Sequence, residues 1–127
     1  MSQTAEQPIL SIDPKWHRIR IHRQTLHLMG DPSYIQFLVN PGTKTIAIKA
    51  GLKQDHLAHR VTYCSSPDHM CYELHSAYFI RSLQKISSNI ADDKVYRIYG
   101  RFNYKEGIAQ FPIENLVTIS ETDWRKS

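Results

Sequence analysis

The most regular signal in the chain is an alternation over residues 16–22. Ile19 and Ile21 take one side, and Arg18, Arg20 and His22 take the other. A period of two with one apolar and one basic face predicts a half-buried β-strand. A shorter strand over residues 9–12 precedes it and is stopped by Asp13-Pro14. Residues 23–29 have room only for a short helix with Leu26 and Met29 as its apolar side. Gly30 supplies its C-terminal stop, and Asp31-Pro32 forbids its continuation. A hairpin follows, with arms over residues 34–40 and 45–49 joined by the turn Pro41-Gly42-Thr43-Lys44. Ile35, Phe37 and Val39 on the first arm face the same way as Ile46 and Ile48 on the second.

The middle of the chain is less regular. Residues 60–64 and 70–74 read as short strands on either side of a turn at Ser65-Ser66-Pro67-Asp68. Ser76 is placed to cap a helix over residues 77–87, whose Phe79, Ile80, Leu83 and Ile86 share one face. A polar connection leads to a second hairpin, with one arm over residues 95–103, a turn over 104–107 and a return arm over 108–111. Residues 116–119 add a short edge strand, with Pro112 limiting the strand before it.

Laid over each other, the two halves match in order. Ile19-Arg20-Ile21-His22 falls on Tyr72-Glu73-Leu74-His75, and Leu26 on Phe79. Tyr34 falls on Tyr96, Phe37 on Tyr99, and Ile46-Ala47 on Ile108-Ala109. Each half reads as strand, helix, hairpin. One such unit is too small to bury its apolar faces alone, and two can share a core. The expected fold is therefore α+β, mostly β. It has two pseudo-repeated β-α-β-β units, over residues 16–50 and 70–112, within one domain of residues 1–127. Residues 1–7 and 121–127 are expected to be flexible tails.

Composition sets the class. A chain of 127 residues with 41% hydrophobic and 22% charged side chains suits one globular domain and excludes general disorder. No run approaches the roughly 18 apolar residues of a membrane span. The polar start lacks the basic and apolar regions of a signal peptide, so the expected location is the cytoplasm. Cys64 and Cys71 are too few for a disulfide scaffold. The formal net charge of +4 permits nucleic acid, an anionic surface or an acidic protein as partner. It demands none of them.

The run His17-Arg18-Ile19-Arg20-Ile21 through Leu28-Met29-Gly30, followed by the hairpin over residues 34–49, resembles AbrB-type transition-state regulators. MraZ-type regulators, with two such units per chain, and MazE-type antitoxins, with one per subunit, share the pattern. The resemblance implies a swapped-hairpin barrel whose basic surface contacts DNA. It covers about 35 residues well, and the second half only loosely. His17 stands where that family has glycine and His22 where it has proline, while Arg18 falls on a DNA-contacting position.

The basic cluster carries the candidate chemistry. Arg18, Arg20 and Arg23, with Lys15 before them and Arg81 and Lys85 four apart on the second helix, are the expected phosphate contacts to double-stranded DNA. The function expected first is thus a small DNA-binding transcriptional regulator. The second is a non-catalytic protein-interaction module, antitoxin-like or adaptor, that keeps the fold and can be a homodimer. His56, His59, Cys64, His69, Cys71 and His75 crowd the middle, but their spacing is no standard zinc pattern, and no metal or cofactor is expected. There is no phosphate-cradling glycine loop and no Gly-x-Ser-x-Gly elbow, so no enzymatic activity is expected.

Overall fold

The computed structural model describes residues 7–62 and 71–125, with the side chains of Cys71 and Arg125 left aside. Its strands are β1 (Ile9–Asp13), β2 (Arg18–His22), β3 (Tyr34–Asn40), β4 (Thr45–Ala50), β5 (His59–Arg60), β6 (Cys71–His75), β7 (Val95–Tyr99), β8 (Arg101–Asn103), β9 (Ile108–Pro112) and β10 (Leu116–Ile119). Its helices are α1 (Arg23–Leu28), α2 (Ala77–Ile86) and α3 (Glu121–Arg125). All strand pairings are antiparallel and fall into two five-stranded sheets. The first runs β10-β7-β1-β2-β6, the second β5-β3-β4-β9-β8.

Local sequence explains most of these elements. β1 and β2 are joined by a 3-10 turn over Pro14–Trp16, whose proline presets the first helical φ and whose end is a left-handed His17. Trp16 and His17 therefore lie outside the strand that the alternation predicted to begin at residue 16. α1 stops where Gly30 takes φ +85°, and the Leu26 carbonyl accepts from the amides of Met29 and Asp31. The β3–β4 hairpin pairs as expected, with Phe37 opposite Ile48 and Val39 opposite Ile46. Asn40 Oδ1 fixes its turn by accepting from the Gly42 and Thr43 amides at 2.9 and 3.2 Å. Ser76 caps α2, its Oγ accepting from the Phe79 amide at 3.1 Å.

The two sheets bury one shared cluster. Leu10, Ile12, Ile19, Ile21, Leu74 and Ile98 come from the first, and Ile35, Ile46, Ile48, Ala109 and Phe111 from the second. α1 adds Leu26, and α2 adds Phe79, Ile80 and Leu83. The Phe37 and Phe79 rings meet at 4.7 Å, tying α2 to the hairpin.

Several expectations are corrected. The sheets do not close into a barrel. The long arm over residues 95–103 is two strands in different sheets. The chain crosses from one sheet to the other at Gly100, where a Cβ would lie 2.3 Å from the Gln110 carbonyl oxygen. Only glycine fits so close an approach. The supposed counterparts are not placed alike. β2 and β6 pair with each other, but β3 lies in the second sheet and β7 in the first. Residues 121–124 are no loose tail, because α3 drives Trp124 into the protein. The strand expected over 60–64 is confined to His59–Arg60 within the described residues, and the turn over 65–68 lies outside them.

Candidate interaction site

The basic strand β2 does have an apolar and a basic face, as its alternation requires. The basic face, however, is roofed. Register places Arg18 opposite Asp13 on one side and His75 on the other, and Arg20 between Ser11 and Glu73. Arg18 donates to Asp13 Oδ2 through Nη2 at 2.6 Å and Nε at 3.2 Å. Arg20 Nε donates to Glu73 Oε1 at 2.7 Å, and its Nη1 to the Trp124 carbonyl oxygen. The Trp124 ring, only 2% exposed, lies over both guanidinium groups, at 5.0 Å from that of Arg18 and 4.4 Å from that of Arg20. Arg97 of β7 reaches the Asp123 carbonyl through Nη2 at 3.4 Å. Planar guanidinium groups stack on an indole and fork onto carboxylates at once, so Arg18 and Arg20 find their partners within the protein. The α3 carbonyls, at the negative end of a helix, add to the fit.

His22 sits in the same layer. Burial, then the charges of Arg97 and Arg20, push its pKa down from 6.5 to about 4. Its ring is therefore neutral at physiological pH, and its buried Nε2 has no hydrogen-bond partner among the described residues.

The six expected phosphate contacts thus divide. Arg18 and Arg20 are held in ion pairs under Trp124, and Arg23 opens α1 half-buried. Lys15, Arg81 and Lys85 are exposed. Arg81 and Lys85 share a face of α2, whereas Lys15 stands on the β1–β2 turn with Nζ 5.5 Å from its neighbour's indole centroid.

The sequence reading missed Trp16 and Tyr78, which are 61% and 76% exposed. The segments that carry them are joined by one hydrogen bond, from the Ser76 amide to the His17 carbonyl at 3.0 Å, which fastens the start of α2 to the end of the β1–β2 turn. Trp16 lines an open depression of about 350 Å³ with Arg18 and His75. It also lines a second one of about 370 Å³, which Asp13, Lys15, Asp92, Asp93, Lys94 and Glu121 share. The available signals were weak. The alternation predicts Trp16 as the first residue of the strand, and Tyr78 falls off the apolar face of α2.

Of the His/Cys cluster, Cys64 and His69 lie outside the described residues. His56 is exposed, His59 packs edge-on against Phe37 with its pKa lowered by burial, and His75 Nε2 stands 3.9 Å from Glu73 Oε2. Among the described residues no three His, Cys, Asp or Glu side chains are placed to hold a metal ion. Nor is any helix among them long and apolar enough to cross a membrane. The chain matches no protein-family model, no curated protein and no solved structure.

Proposed function

We propose that this protein is a non-catalytic protein-interaction module whose contact surface is the corner formed by Trp16 and Tyr78. One observation carries the reading: the region turns its guanidinium groups inward and its indole outward. An indole left mostly in water forgoes burial worth on the order of 2 kcal/mol. Tryptophan and tyrosine at a surface are the residue types that anchor protein interfaces. Around Trp16 stand charges of both signs, Lys15 and Lys94 with Asp13, Asp92, Asp93 and Glu121. Such a mixed rim suits a protein partner better than a phosphate backbone, which the carboxylates would repel.

The test is cross-linking of wild type and Trp16→Ala in the native cell, read by mass spectrometry, alongside titration of duplex DNA at several salt concentrations. A specific protein partner that Trp16→Ala loses, with an unchanged melting temperature, is the expected outcome. Duplex binding that weakens steeply with salt and falls in Lys15→Ala with Arg81→Ala would overturn it.

A second reading is a DNA-binding regulator of the swapped-hairpin type. It draws support from the pairing of β2 with β6 and of β4 with β9, which sets strands of the first strand–helix–hairpin segment against those of the second. In that reading the exposed cations Lys15, Arg81 and Lys85 take the place of the inward arginines.

A further inference from the structure

We infer that the outer face of α2 is a docking surface for an acidic segment of the partner protein, an inference that rests on the interaction-module reading. Helix α2 contains no aspartate or glutamate. Its Phe79, Ile80 and Leu83 are buried, while Ala77, Tyr78, Arg81 and Lys85 are exposed. At roughly 100° per residue these four fall within an arc of about 100°. Arg81 and Lys85 stand at i and i+4, a like-charge spacing that costs an isolated helix a few tenths of a kcal/mol. Neither makes an ion pair among the described residues. The carboxylate of Asp92 is held on the flank of the helix, accepting from Gln84 Nε2 at 2.6 Å. The face therefore presents two uncompensated cations beside an exposed phenol ring.

Charge complementarity selects the occupant. Two cations one turn apart span about 6 Å along the helix. They can neutralise about two phosphates, which gives nucleic acid little affinity at physiological salt. Two carboxylates of a peptide fit the same pair, with Arg81 able to take one of them in a two-pronged hydrogen bond. Tyr78 offers the apolar seat that the peptide backbone and an intervening side chain would cover, and the carboxylates around Trp16 keep the acidic residues of the segment at the Arg81–Lys85 end.

The experiment follows amide and indole resonances of the full-length ¹⁵N-labelled protein during separate titrations with poly-L-glutamate, poly-L-lysine and duplex DNA at low salt. Poly-L-glutamate should move the signals of Tyr78, Arg81 and Lys85 more than that of the Trp16 indole. Arg81→Glu with Lys85→Glu should weaken it about tenfold or more, whereas Lys53→Glu with Lys105→Glu, on other surfaces, should change it little. Circular dichroism checks that both variants stay folded. Shifts scattered over all lysines, or equal losses in the two variants, would overturn the acidic-segment inference and leave the Trp16 corner standing. Preference for poly-L-lysine would do the same. Duplex DNA binding this face more tightly than poly-L-glutamate would overturn the interaction-module reading itself.

Discussion

At the residue scale, the same side chains read two ways depending on what covers them. Arg20 looks like a phosphate contact while only its strand is considered, and becomes a structural residue once Glu73 and Trp124 are in place. Removing it would strand a half-buried carboxylate and uncover an indole. Arg20→Ala should thus destabilise the protein by about 2–3 kcal/mol in urea unfolding, with no effect on any DNA binding. A change in DNA affinity at unchanged stability would refute the structural role. His22 gives a pH signature in the same layer. Its folded pKa, about 4, lies below the unfolded 6.5, so the unfolded chain binds the extra proton first as pH falls. The stability from burying the neutral ring is whole above pH 6.5 and is lost between there and pH 4. With screening by the water that still reaches the ring, the loss should be about 2 kcal/mol. Thermal melts of wild type and His22→Gln across that range measure it. The variant should be less stable at pH 7 and show a shallower slope, and parallel slopes would refute the assignment.

At the element scale, what the sequence disclosed follows from whether a pattern is local. The β3–β4 hairpin and the α2 face were legible because alternation, turn residues and a cap lie within a few positions of one another. The sheet crossing at Gly100 was not. Tyr96, Ile98 and Phe102 keep one parity across it, so the period of two is the same whether or not the strand changes sheets. α3 was hidden for another reason. Five residues with one apolar side chain carry no periodicity, and the burial of Trp124 depends on arginines about a hundred positions earlier. The fate of the candidate site was illegible on the same ground, since its basic face was readable and its roof was not. Both devices can be tested by substitution. Trp124→Ala should cost about 3–5 kcal/mol, because a large buried side chain is lost and two guanidinium groups are bared. Gly100→Ala should cost more than about 2 kcal/mol, since backbone and the Phe111 ring block the new methyl group. Near-wild-type melting of either variant would contradict the packing described.

At the scale of the whole molecule, the strand order decides what can fold alone. β1 pairs with β7, β2 with β6 and β4 with β9. Every one of these ladders joins the first half of the chain to the second, and the buried cluster draws on both halves. Residues 1–62 would keep only two hairpins and the short β5, with Ile12, Ile19, Ile46 and Ile48 facing water. Residues 63–127 would keep the β8–β9 and β7–β10 pairs around α2. A fragment with so few paired strands buries too little apolar area to offset its conformational entropy. Each fragment alone should therefore show no cooperative thermal transition by circular dichroism. Mixed in equal amounts, the two should regain the β-rich spectrum and a single transition, because their exposed strand edges are each other's native partners. Cooperative melting of the first fragment by itself would mean that the strand–helix–hairpin segment is a self-sufficient unit. The two halves would then be neighbours, each with its own core, in place of the shared one that holds Arg18 and Arg20 beneath Trp124.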